Sequence, residues 1–231
     1  MAKARTYAWK NPALLTTAVT LVMIFYSLRS AAQLAVWMVV RLRSVIDVPQ
    51  DQLELVRIAA QLNAQLVIPS FLLLIVPFFW ILRVSKNAHV LKGQKLRNSP
   101  MFSALWWYII PLMSLFKPYE SLEEIWDVSG TGPIKRRHLS LLIWWGSALI
   151  AWILGDIIVV LSGYPFNTDH AALIRVYNSP ISPLSFAISI VKCLAFIAVA
   201  LKIASIQVKK RLGSGPSDVH AASGILERLT T

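Results

Sequence analysis

Met101 to Phe116 is an apolar stretch of 16 residues, broken at Pro111, followed directly by Lys117 and Pro118, and set between two basic loops. As a helix rising 1.5 Å per residue it would reach only about 24 Å, short of the roughly 30 Å of hydrocarbon in a bilayer. Whether it crosses decides the sidedness of everything after it. Around it lie four longer apolar segments: Ala13 to Val40, Ile58 to Leu82, Leu139 to Ser162 and Ile181 to Leu201. Each is long enough to span a membrane. The first reads as a retained anchor rather than a cleavable signal. The second carries no charge but contains Pro69 and Pro77, so it is expected to be a kinked span.

Composition agrees. The chain is 56% hydrophobic and 15% charged, against about a quarter charged in soluble domains. The net charge of +12 does not mark a nucleic-acid binder, because the basic residues stand at the ends of apolar segments instead of gathering on a polar face. The single cysteine, Cys193, lies within an apolar run, which excludes a disulfide framework and a thiolate metal cluster.

The basic residues also orient the chain. If Met101 to Phe116 dips into the membrane and returns, the amino terminus, the loops Arg83 to Arg97 and Lys117 to Arg137, and the chain after Leu201 hold 17 Lys and Arg on one side. The two opposite loops hold 4: Arg41, Arg43, Arg57 and Arg175. Such a bias is what the positive-inside rule expects. The reading is an all-α integral membrane protein with four transmembrane helices, one re-entrant or interfacial helical segment, and both termini cytoplasmic. Residues 1–206 form the membrane domain and residues 207–231 a flexible cytoplasmic tail with Gly213, Gly215 and Pro216.

From Asn87 the sequence runs NAHVLKGQKLRNSPMFSALWWYIIPLMSLFKPYESLEEIW, and Trp144 and Trp145 open the next span. Asn87, Ser99, Pro100, Trp107, Pro111, Leu115, Pro118, Tyr119, Glu124 and Trp126 give Asn87 to Trp145 its resemblance to a bacterial membrane family catalogued as domain of unknown function 4328. The resemblance implies a multi-span helical membrane domain and carries no activity with it. In physical terms Pro100 starts a helix, Pro111 interrupts it, and Pro118 separates the apolar stretch from the charged one.

Three groups of residues are candidates for function. Arg29, Asp156 and Lys192 are ionisable groups within spans, where they are costly and need partners. Opposite helix directions place Asp156 and Lys192 about 7 Å apart in depth, within reach of a lysine stem. An Asp156 to Lys192 pair with Arg29 as a third member is therefore expected, either as a register pin or as a polar cavity for an anionic group. Glu120, Glu123, Glu124 and Asp127, interleaved with Leu122, Ile125 and Trp126, predict an amphipathic helix at the inner surface. Its acids either pair with nearby Arg and Lys or, with Trp126, dock a basic partner. Trp106, Trp107, Tyr108, Trp144 and Trp145 fit an interfacial aromatic belt or a lateral opening for a lipid.

No nucleophile elbow, P-loop, dinucleotide fingerprint or zinc-protease motif occurs, and His89, His138, His170 and His220 all lie in loops or the tail. No cofactor and no metal are expected. The sequence points to a non-catalytic, multi-pass protein of a bacterial inner membrane, an accessory or scaffold subunit that binds a membrane partner or lipid. A small transporter or anionic-lipid-handling protein is the alternative, and a membrane enzyme the third.

Overall fold

The computed structural model describes residues 7–44, 67–92, 96–105, 116–130, 138–162 and 179–213, and every regular element in them is a helix. In chain order these are α1 (Ala13–Ser44), α2 (Val67–Lys92), α3 (Pro100–Leu105), α4 (Lys117–Ser129), α5 (Leu139–Ser162) and α6 (Ile181–Gly213). Residues 106–115, which hold Trp106, Trp107 and Tyr108 and most of the segment expected to be re-entrant, lie outside the described residues.

The helix starts follow from local chemistry. Asn11 Oδ1 accepts the Ala13 amide at 2.9 Å, and the Thr16 amide closes the first turn on the Pro12 carbonyl at 2.9 Å. Asparagine followed by proline is a strong start signal, because the side chain satisfies an orphan amide and proline lacks one. Ser99 and Pro100 repeat the device at α3, where the Phe102 amide donates to Ser99 Oγ. α4 has Pro118 in its first turn and ends where the Gly130 amide donates to the Trp126 carbonyl at 2.9 Å.

Among the described residues, three helices have stretches long and apolar enough to cross a membrane: Ala13–Leu42, Leu139–Ile158 and Ile181–Gly213. In an 18-residue apolar window of each, only 28%, 17% and 22% is buried within the chain. Hydrocarbon around them removes the cost that such exposure would carry in water. The expected first, third and fourth spans thus appear as helices, and the first runs four residues past Val40 to Ser44. α2 starts at Val67 among the described residues, carries Pro77 in its interior, and runs past Leu82 to Lys92. α6 likewise continues through the boundary expected at residue 207, and Gln207 is fully buried.

The chain groups into two compact units. One comprises Met1–Thr17, Phe78–Arg137 and Val199–Thr231; the other comprises Ala18–Pro77 and His138–Ala198. In the first, Trp80, Ile81 and Val84 of α2, Leu122 and Ile125 of α4, and Val199 and Ile203 of α6 are buried, and α3 packs on α4. In the second, Val19, Met23 and Tyr26 of α1, Leu141 and Trp144 of α5, and Cys193 and Phe196 of α6 are buried.

Candidate functional site

The first unit is built around a polar cluster that begins with Asn87. Its side chain treats the main chain of Lys10 as a sheet neighbour would: Oδ1 accepts the Lys10 amide at 3.1 Å, and Nδ2 donates to the Lys10 carbonyl at 2.8 Å. Nδ2 also donates to Gln207 Oε1 at 3.2 Å. Gln207 Nε2 in turn donates to the Val84 carbonyl at 2.8 Å and to Ser129 Oγ at 3.0 Å, while the Ser129 hydroxyl donates to the Ile125 carbonyl at 2.6 Å. Asn87, Gln207 and Ser129 are all completely buried. Buried amides are tolerable only when their donors and acceptors are matched, and here each finds a partner. Four chain segments, around residues 10, 87, 129 and 207, are thereby joined.

α4 is held to this cluster at its carboxyl end and fixed along its side. Its spacing of Pro118, Ser121, Leu122, Ile125, Trp126 and Ser129 puts one face inward, and all six are buried. At the carboxyl end Lys210 Nζ donates to the Val128 carbonyl at 2.7 Å and the Gly130 carbonyl at 3.4 Å, placing a cation on the negative end of the helix dipole. On the opposite face the Glu124 carboxylate accepts the Arg97 amide at 2.6 Å and the Asn98 amide at 3.4 Å. Lys117 pairs with Glu120 at 2.5 Å, and Tyr119 Oη donates to Glu123 at 3.1 Å.

These positions sort the expected docking residues. Glu120, Glu123 and Glu124 share the outward face of α4, but Glu124 secures the turn before α3, and Trp126 is 8% exposed and belongs to the inward face. His89 Nδ1 bonds the Ser85 carbonyl at 2.9 Å, and its ring meets Tyr7 edge-on with centroids 5.3 Å apart. No group of His, Cys, Asp or Glu suited to a metal ion occurs among the described residues.

The second unit holds the intramembrane charges, and it does not bring them together. Arg29 lies over the Tyr26 ring, 5.8 Å from its centroid. Asp156 is exposed on α5 and Lys192 half-buried on α6, and no ion pair joins the two. Similar depth along two helices does not by itself bring two side chains together. Trp144 is buried, with Trp145 at 5.3 Å and Phe196 at 5.2 Å between ring centroids. Trp145 is half-buried beside it.

Sequence reasoning missed Gln207 and Lys210 as site residues because the region was read as a tail. The signal was present: Val199, Ala200, Ile203, Ala204 and Gln207 continue one helical face without a break. Asn87 lies in the stretch that carries the resemblance, and sequence alone does not single it out as a buried partner of Gln207.

The family model described as Domain of unknown function (DUF4328) matches residues 48–208. The chain belongs to this family. The DUF4328 region covers most of the 231 residues, more than the Asn87 to Trp145 stretch that carries the resemblance. It contains Asn87, Ser129 and Gln207, so every side chain of the buried cluster lies within DUF4328, and Lys10 outside it contributes main-chain atoms. No curated protein and no solved structure matches the chain.

Proposed function

We propose that this DUF4328 protein is a non-catalytic accessory or scaffold subunit of a bacterial inner membrane, with the outward face of α4 as its docking surface for a basic segment of a partner. The observation that supports this most is how α4 is fixed. Buried Ser129 and Lys210 secure its carboxyl end, Glu124 secures its side, and Glu120, Glu123 and Asp127 share the face opposite the buried one. A short helix immobilised on several sides presents its carboxylates with little ordering entropy left to lose on binding. Negative charge at an inner surface also disfavours anionic lipid, which leaves a basic protein segment as the better fit.

Changing Glu120 and Glu123 to Gln and Asp127 to Asn should release the partner while leaving the bundle folded, because Glu120 and Glu123 bond within α4, to Lys117 and Tyr119, and all three lie opposite the buried face. The measurement is co-purification from native membranes in mild detergent, with the melting curve as control. Retention of the partner by the triple variant would remove α4 as the docking surface. Recovery of the unaltered protein alone, with no stable companion, would count against the accessory role itself.

The membrane arrangement belongs to the same proposal: four spans, Ile58 to Leu82 being the second, with Met101 to Phe116 re-entrant and both termini cytoplasmic. It is supported by the 17 to 4 charge bias and by α2, whose Leu72, Ile75 and Phe79 are 47%, 49% and 51% exposed, as lipid-facing residues would be. In a variant with Cys193 replaced, single cysteines at positions 128 and 220 should be protected from an impermeant thiol reagent added outside, and those at 48 and 170 modified. Modification at 128 would mean that Met101 to Phe116 crosses.

A further inference from the structure

α5 carries a single charged residue, Asp156, and turns it outward. Asp156 is exposed together with Trp152, Ile153, Ile157 and Val160, and no hydrogen bond or ion pair reaches its carboxylate among the described residues. Five apolar residues, Ile157 to Leu161, separate it from the helix end at Ser162. At 1.5 Å per residue that places it about 9 Å inside the end of the helix, too deep for so short a side chain to reach the headgroups. A carboxylate facing hydrocarbon is strongly disfavoured, and a neutral carboxyl would still lack a hydrogen-bond partner. Something has to cover it.

The surrounding residues show what shape the cover has. Gly146, Ile153 and Val160 recur every seven residues, with Leu149 and Asp156 at the intervening positions, which is the spacing of a helix-packing seam. A methyl group added at Gly146 would meet nothing within 4 Å, so the seam has room for another backbone to come close. Among the described residues no cation pairs with Asp156. Arg29 lies over Tyr26, and Lys192, half-buried on α6, makes no ion pair with Asp156.

We propose that the Asp156 seam of α5 receives a transmembrane helix of a partner protein bearing a lysine or arginine at the depth of Asp156. This deepens the accessory-subunit reading and rests on it, but its site is distinct from α4. The test uses a defined probe: a synthetic leucine and alanine transmembrane helix with one lysine six residues from its end, co-reconstituted in phosphatidylcholine vesicles with the purified full chain. An otherwise identical helix without lysine is the control. The unaltered protein should retain the lysine helix about three- to tenfold better than the control helix, the range expected of an interhelical polar contact in lipid. Asp156→Leu should abolish the difference, and Asp156→Asn should keep part of it, with unchanged helical circular dichroism showing that both variants fold.

Equal retention of the two helices by the unaltered protein would overturn the proposal, as would a lysine preference that survives Asp156→Leu. A dimer of this chain that dissociates on Asp156→Leu and excludes the lysine helix would also overturn it, assigning the seam to a second copy. None of these outcomes depends on α4, so failure here and failure of the α4 docking surface are read separately.

Discussion

Trp80→Ala should destabilise the protein by about 3 to 5 kcal/mol, the usual cost of emptying a large aromatic site. Trp80 is fully buried in α2, and its indole Nε1 donates to Thr16 Oγ at 3.0 Å. Thr16 donates in turn to the Pro12 carbonyl at 2.9 Å, so the ring and its hydrogen bond together fix the first turn of α1. Trp80→Phe separates the two contributions. It keeps most of the volume and removes the donor, while Thr16 retains its bond to Pro12, so its cost should be about 1 kcal/mol. Denaturation in detergent measures both, and hydrogen exchange at the Thr16 amide reports whether the start of α1 frays. If Trp80→Phe costs as much as Trp80→Ala, the hydrogen bond and not the packing is the dominant contribution.

Asn87→Leu should cost on the order of 3 kcal/mol, because it strands Gln207 Oε1 in a dry interior and leaves both main-chain groups of Lys10 without their partner. Gln207→Leu should cost less, about 1 to 2 kcal/mol, for a reason visible in the geometry. After that change Asn87 still bonds Lys10, Ser129 still donates to Ile125, and the Val84 carbonyl keeps its place in the α2 ladder. The double variant should lose less than the sum of the two, since the contact between the amides is counted in both single losses. Strict additivity, or a larger loss for Gln207→Leu, would show that the cluster is not organised through Asn87.

The helices were largely legible in the sequence, and the reason is the length of their apolar runs. Leu139 to Ser162 coincides with α5, and α6 starts at Ile181 as expected. α4 was equally plain, because Leu122, Ile125 and Trp126 at helical spacing oppose a row of acids. What sequence could not supply was direction around a helix. Depth alone suggested that Asp156 and Lys192 meet, but pairing also depends on which way each residue faces, and apolar residues cover so much of both helices that no inward face stands out. Gln207 was hidden for the complementary reason. A polar residue after the last apolar run looks like the start of a tail until its partners, 78 and 120 residues earlier in the chain, are known.

That separation along the chain sets an order of events during synthesis. The first 206 residues contain Lys10, Asn87 and Ser129 but not the side chain that joins the last two, so the cluster cannot close while the ribosome is still making α6. Until then Asn87 can engage only the Lys10 main chain, and α4 lacks both Gln207 and Lys210. A chain stopped before the end of α6 therefore leaves Ser129 and the carboxyl end of α4 without their partners, whereas the last turns of α6 supply them. Completion of α6 is thereby written into the same contacts that make α4 rigid.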